Sequence, residues 1–477
     1  MRPTCIEISN FKNVLHGASM RLTRIEISNF KNVLHGTIDF TNRPSEEGAS
    51  ITAIYGQNGS GKTALIDAIQ ILKTLLEEKP IPQGTANKIT AGEKFARFVF
   101  SFETHVDLDD DEASSGTYNI DYEIEFQKAD IDDADCSLIK ECLYYSLKSD
   151  NGNAKKRHIA CQVDLEKGIS PKKVLKKVAV MEKYGMCPPD IDHEYILSSG
   201  KSYIFQRLGN TYTLFEDPTT EIERFTTDAS QKLKIRELSD PNLYMIISHL
   251  RQYTLNLMVI SGRNIPSEAS NKIMVFSPRV KFKGKYKIKS DPIKIKTSGE
   301  KMNIVDVYLA KSTIAQVNLV LESLIPEHKL IFETEPTETE DVVKTYLYSE
   351  NFGRKIPFEC ESYGIKKMVW VANVLIAAFN DEGFTAVIYE LDAGVYEYLL
   401  GKLLSVFENQ GCGQLIFTSH NLMPMEKLDY KDIVFTTTNP SNRYIRPKYV
   451  KQTNNLRDIY LRNIQVSGKR RTLSWQI

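Results

Sequence analysis

The chemistry written most sharply into this chain lies in Gly56-Gln57-Asn58-Gly59-Ser60-Gly61-Lys62-Thr63, a G-x-x-x-x-G-K-T run. Glycine backbone bends easily and can turn its N–H groups toward a phosphate. Lys62 brings a point charge for β- and γ-phosphates, and the Thr63 hydroxyl suits Mg²⁺. Such a run needs a strand before it and a helix behind it, so that the helix N-terminus adds its positive dipole end. Both are predicted: Ile51 to Tyr55 (ITAIY) reads as a buried strand, and Ala64 to Leu76 (ALIDAIQILKTLL) has helical periodicity. The expectation is ATP with Mg²⁺, held through Gly56, Asn58, Gly59, Ser60, Gly61, Lys62 and Thr63. The competing reading, an accidental glycine-rich turn, accounts for neither flank.

Three segments far downstream hold further candidates. In ESYGIKKM (Glu361 to Met368), Ser362 has the place of a helix cap, and Met368 to Phe379 (MVWVANVLIAAF) reads as an apolar helix. In AVIYELD (Ala386 to Asp392), the short apolar strand Phe384 to Ile388 runs into Tyr389, Glu390 and Asp392. In QLIFTSHN (Gln414 to Asn421), another apolar strand is followed by His420, a residue type that taken alone is more often structural.

In order and spacing these motifs resemble an ABC-type ATPase head. The loop has the G-x-N-G-S-G-K-T form, and Leu22 to Phe40 (LTRIEISNFKNVLHGTIDF) is similar to the opening strands of SMC-type, Rad-type repair and OLD-like ATPases. The resemblance points to bacterial stand-alone AAA ATPases with an ABC-type, OLD-like head. Many of these serve antiphage defence or abortive infection beside a separate nuclease or toxin. The resemblance implies a homodimer that sandwiches ATP, with Ser362 and Gly364 of one chain reaching the γ-phosphate held on Lys62 of the other. It also implies that Glu390 polarises the attacking water and that His420 senses the γ-phosphate.

One position departs from the pattern. The family has aspartate where this chain has Tyr389. A phenol stays neutral at pH 7 and cannot replace a charged oxygen ligand for Mg²⁺. Asp392, two residues past Glu390 on the same strand face, is therefore a metal-ligand candidate together with Thr63. Three readings stay open: hydrolysis is slow and ATP acts as a dimer clamp, Asp392 compensates, or Tyr389 is a tolerated variant. The functional expectation is an ATP-driven switch controlling a separate effector in antiviral defence. The alternative is a DNA-processing or repair ATPase of the SMC/OLD type acting directly on nucleic acid; a transporter ATPase is a third reading.

Three hundred positions (362 − 62) separate Lys62 from Ser362. Sustained heptads are missing from them. Phe98 to Phe102, Tyr118 to Phe126 and Tyr203 to Phe215 alternate like strands. The expected fold is α/β: an ABC-type P-loop head split by a large α/β insertion, a lid or short arm, without a long coiled coil. Expected boundaries are 1–19 for an N-terminal extension, 20–100 and 341–477 for the head halves, and 101–340 for the insertion. The acidic run Asp107 to Glu112 reads as a solvated loop before it reads as a metal site. Arg279, Lys281, Lys283, Lys285, Lys287 and Lys289 alternate with Val280, Phe282, Gly284, Tyr286 and Ile288. On one strand they would share a face. Such a face could track a phosphate backbone or guard a sheet edge against aggregation.

Met1 to Gly17 (MRPTCIEISNFKNVLHG) and Met20 to Gly36 (MRLTRIEISNFKNVLHG) are near copies, differing at Pro3/Leu22 and Cys5/Arg24. A sheet has one place for that strand, so Met20 is read as the functional start; the competing reading is a swapped strand or dimer arm. Lysine plus arginine number 61, as do the acidic residues, so bulk charge favours no anionic partner. Hydrophobic residues make up 42% of the chain, enough for a sizeable core. Seven cysteines without a C-x-x-C pair point to free thiols and a cytoplasmic setting. No apolar run is expected to span a membrane.

Overall fold

The structure, a computed structural model, describes residues 20–41, 49–106, 116–129, 135–149, 156–174, 176, 179, 193–209, 241–260, 273–276, 279–282, 285–288, 293–296, 298–339, 341–393, 397–447, 456–458 and 460–461. The first copy of the N-terminal repeat and the acidic run at 107–112 lie outside them. The fold is mixed α/β and divides into two compact units, one of residues 74–86 and 101–252, the other of 21–73, 87–100 and 253–477.

The second unit holds the P-loop. Its sheet joins β3 (Ser50–Tyr55), β9 (Leu257–Ile260), β18 (Thr385–Ile388), β19 (Gln414–Thr418), β20 (Ile433–Thr436) and β21 (Tyr444–Ile445) in the order β21-β20-β3-β19-β18-β9. All neighbours are parallel except β21, which runs antiparallel to β20. Every residue of β3, β18, β19 and β20 is buried. Parallel strands covered on both faces read as continuous apolar runs, which is why ITAIY, FTAVI and QLIFT were visible in the sequence. Ile51, Ala53, Leu415, Phe417 and Ile433 share a core with Val371, Val374 and Leu375 of α5 (Tyr363–Asn380) and with Leu400 and Leu404 of α6 (Glu397–Gln410).

Helix α1 (Lys62–Leu76) follows the P-loop. Strands β1 (Met20–Phe30) and β2 (Val33–Asp39) form an antiparallel hairpin whose turn uses left-handed Asn29 and Lys31. In this unit β1 also neighbours the start of β4 (Phe95–Val106). A separate antiparallel group comprises β14 (Ser298–Asn303), β15 (His328–Pro336), β16 (Val342–Asn351) and β17 (Arg354–Pro357). There β16 pairs with each of the other three. Leu330 and Leu347 of this sheet share a core with Val307, Ala310, Ile314, Val317 and Leu321 of α4 (Ile304–Leu324) and with Phe358, Val369 and Ala372. Contrary to the sequence expectation, Ile304–Glu322 is long and apolar enough to cross a membrane by length and composition; five of its residues are buried in this core.

In the first unit, the remainder of β4 continues into an antiparallel meander of β5 (Gly116–Lys128), β6 (Cys136–Ser149), β7 (His158–Asp164) and β8 (Gly168–Ser170). The expected strands at 98–102 and 118–126 lie within β4 and β5. The strand expected at 203–215 does not form over its described part, 203–209. Ile204–Gly209 is a π-helix, and 210–215 lies outside the described residues. The reason is a buried carboxylate: Glu141 accepts hydrogen bonds from Tyr122, Ser202 and the N–H groups of Tyr203 and Ile204. It satisfies the donors that a helical turn leaves open. Burial raises its pKa above the usual carboxylate range.

The basic stretch is also not one strand. Arg279–Phe282 (β11) and Lys285–Ile288 (β12) form an antiparallel pair, with Arg279 opposite Ile288 and Lys281 opposite Tyr286. A single six-cation face is thereby lost, because each basic register position is matched to an apolar one. Lys283 and Lys289 lie outside the described residues. Ile273–Phe276 (β10) and Ile293–Lys296 (β13) pair with one another around this hairpin in the sequence.

Candidate nucleotide site

The P-loop leaves β3 at Tyr55. Gln57, Asn58 and Gly59 form an exposed tip, while Gly56, Ser60, Gly61 and Lys62 are buried and Thr63 is half-buried. Gly59 and Gly61 have φ of 76° and 106°, where other residues are strained. Gly56 is required by space: a Cβ there would overlap Thr436 Oγ1.

Lys62 Nζ donates to the carbonyls of Gly56 (2.5 Å) and Gln57 (3.1 Å). Burial lowers its pKa, and Glu390 and Asp392 pull in the opposite direction. The Ser60 hydroxyl donates to Gln57 O at 2.6 Å and also bonds Thr436 Oγ1, so it faces the protein. Its expected contribution to phosphate binding therefore falls to the backbone. Two residues that sequence reasoning missed brace the loop from β20 and β21. Thr436 Oγ1 donates to Ser60 Oγ, whose own proton goes to Gln57, and lies 3.1 Å from Tyr55 O; the buried Tyr444 hydroxyl donates to Gly61 O at 2.9 Å. Nothing local to Thr436 or Tyr444 marks a partner in the P-loop.

The acidic group sits just past β18. Tyr389 N–H donates to Ile260 O at 2.8 Å, extending the parallel pairing by one residue. Glu390 then turns left-handed, φ 49°, with its N–H on Thr418 Oγ1 (2.8 Å) and its carbonyl accepting from Lys367 Nζ (2.5 Å). Lys367 lies on α5, is buried, and has its pKa lowered by that burial against the pull of Asp392 and Glu390. The charges of Glu390 and Asp392 thus act on both Lys62 and Lys367, whose ammonium groups donate to backbone carbonyls. In the sequence Lys367 appeared only as part of the ESYGIKKM segment, with no role of its own. Glu390 Oε1 is 3.6 Å from His420 Nε2. Asp392 Oδ2 accepts from the N–H groups of His420 (3.1 Å) and Asn421 (2.9 Å), which fixes the loop after β19. Its buried Oδ1 has no hydrogen-bond partner among the described residues.

Lys62, Glu390, Asp392 and His420 are therefore brought together by adjacent strand ends. Ser362 and Gly364 are not joined to them by any described contact. Ser362 Oγ accepts from Ile365 N–H at 3.3 Å and caps α5, as expected. Ser362 and Tyr363 are exposed, and a Cβ on Gly364 would meet nothing. The Thr63 hydroxyl and the free oxygen of Asp392 are hard donors that fit Mg²⁺; Tyr389 adds no carboxylate.

A family model described as an AAA domain matches residues 24–167, which include most of β1, all of β2 and β3, the P-loop and α1. No curated protein is similar enough in sequence to count as a relative. Among solved structures, an Smc head domain with a coiled coil and joint from Pyrococcus yayanosii is similar at 12% identity. That likeness has a TM-score of 0.42 and covers 93% of this chain and 99% of that one. The Smc head domain with an extended coiled coil bound to the C-terminal domain of ScpA, from Pyrococcus furiosus, is 12% identical with a TM-score of 0.39. It is covered to 99%, and this chain to 94%. The SMC head domain from Thermotoga maritima is also 12% identical, with a TM-score of 0.33 and coverage of 90% of this chain and 99% of that chain.

Proposed function

We propose that the chain is an ATP-hydrolysing switch whose two copies close head to head around ATP. One observation carries this reading. A P-loop lysine, Glu390, Asp392 and His420 converge at neighbouring strand ends, whereas the capped start of α5 stands exposed with Ser362 and Gly364 uncovered. A helix N-terminus with open N–H groups suits an anion, and a second chain's γ-phosphate is the anion that the homodimer reading supplies. Within each site, Lys62 holds β- and γ-oxygens and the P-loop backbone orients them. Glu390 is placed to accept a proton from an attacking water, and His420 to report on the γ-phosphate. Mg²⁺ would be held by Thr63 and Asp392 and would supply charge neutralisation. The ATP state then controls a separate effector protein, a nuclease or toxin, in antiviral defence; this finer reading rests on the sequence resemblance.

The test is complementation. Lys62→Ala should lose ATP affinity by calorimetry, and Ser362→Arg should keep it, yet each should lose turnover. Mixing the two inactive variants rebuilds one intact site per heterodimer, so turnover should return in part. Mixtures that stay inactive would defeat the shared site. Glu390→Gln should accumulate an ATP-bound dimer by sedimentation; wild-type hydrolysis in that variant would move the base to Asp392.

A further inference from the structure

The start of α5 is tied to the β15–β16 sheet by an unusual polar group. His328 is the first residue of β15 and Ser349 lies on β16; both are buried, 3% and 0% exposed. His328 and Ser349 are on one face of the sheet, since Leu330 pairs with Ser349 and His328 follows at period two. That face otherwise carries Leu330 and Leu347 into the apolar core with α4 and α5. His328 Nε2 lies 2.7 Å from Ser349 Oγ and 3.3 Å from Glu361 Oε1. The other oxygen of Glu361 accepts from the Ser362 N–H at 3.1 Å. Glu361 itself closes the short turn Phe358–Cys360, whose Phe358 is buried in the same core. The imidazole Nδ1 is buried without a hydrogen-bond partner among the described residues. A group so enclosed is costly unless its placed nitrogen is needed.

We infer that His328 and Glu361 are positioning residues that set the orientation of Ser362 from the β15–β16 sheet. The inference rests on the two-chain reading of Ser362 given above. The relay has three links in series. With its hydrogen on Nε2, the imidazole shares that N–H between Ser349 Oγ on the sheet and one oxygen of Glu361, and the second oxygen accepts from the N–H of the residue that caps α5. A displacement of β15 relative to α5 is thus passed to Ser362 without touching the P-loop. A partner acting on this sheet would regulate the step that closes two heads, not the affinity of one chain for ATP.

His328→Leu removes the relay, and His328→Gln returns an amide N–H near the place of Nε2. With wild type as reference, His328→Leu and Glu361→Ala should bind ATP as tightly as before by calorimetry. At saturating ATP their turnover should fall about tenfold to a hundredfold, the loss that a misplacement of about 1 Å brings. His328→Gln should recover most of that turnover. Wild-type turnover in His328→Leu overturns the relay, and so does equal impairment of His328→Leu and His328→Gln. Ser362→Arg separates the two ideas. If it leaves turnover unchanged, the two-chain site fails; if it abolishes turnover while His328→Leu does not, only the relay fails.

Discussion

A P-loop is a local object, and its eight residues from Gly56 to Thr63 declared most of the nucleotide site without help from the rest of the chain. What they could not declare is the support behind them. Thr436 lies 376 residues beyond Ser60, yet its hydroxyl bonds Ser60 and lies against the Tyr55 carbonyl. Composition and periodicity act over one element, so a contact across that distance leaves no pattern to find. The tightness at this point gives a direct prediction. Gly56→Ala places a methyl group on Thr436 Oγ1, so the loop or β20 must move. ATP affinity should drop, and melting temperature with it, because overpacking typically costs about 1–3 kcal/mol. Adding Thr436→Ala removes the overlapping oxygen and should recover part of both losses. The recovery is partial because Ser60 Oγ and the Thr436 Cβ remain close to the new methyl group. A double variant no better than Gly56→Ala alone would mean that the glycine is needed for another reason.

Elements were legible where they are buried on both faces and illegible where tertiary contacts choose the conformation. The apolar runs ITAIY and QLIFT became β3 and β19 with little change. Tyr203 to Phe215 alternated like a strand, but over its described part Glu141 accepts the N–H groups of Tyr203 and Ile204 at the start of a helical turn, and the turn wins. Period two in the basic stretch misled for a different reason. Two short strands in succession keep the alternation of one long strand, while their antiparallel pairing puts the basic positions of each opposite apolar positions of the other. The link between α1 and the β1–β2 turn tests how elements are held. Asp67 of α1 is 2.8 Å from both Lys31 and Lys88. Burial raises its pKa, but the hydrogen bonds and charges of Lys31 and Lys88 outweigh that and hold it below the ordinary value. A depressed folded pKa contributes stability above the unfolded value and loses it as pH falls through the folded one. Asp67→Asn should therefore destabilise at neutral pH by about 1.5–3 kcal/mol, the size of a charged hydrogen bond. In denaturant titrations the gap to wild type should close as pH falls through the carboxylate range; a gap independent of pH would assign the loss to packing instead.

At the scale of the whole molecule, the head is assembled from distant parts of the chain, and its opening strand is written twice. Strand β1 begins at Met20, and Leu22, Ile25, Ile27 and Phe30 of that copy are buried. Its neighbours on either side are β2 and β4, so it is an interior strand with no vacant edge. The first copy would compete poorly for this place. Pro3 stands where Leu22 is buried, and a proline brings no N–H to a sheet ladder and loses the leucine's contacts. Cys5 stands where Arg24 has ion-pair contacts with Glu26 and Asp39. Both differences favour the second copy, and the second of them only weakly, since those ion pairs are exposed. Removing residues 1–19 should therefore leave the melting temperature and ATP affinity unchanged. The same deletion carried in a chain with Ile27→Asp asks whether the first copy, which has Ile8 at the matching position, can replace the second. The substitution should lower the melting temperature strongly in the shortened chain, where no other copy exists. Losses of similar size are expected in the full-length chain, because Pro3 handicaps the first copy. A full-length Ile27→Asp chain that melts as wild type does would show instead that the first copy can take over the strand.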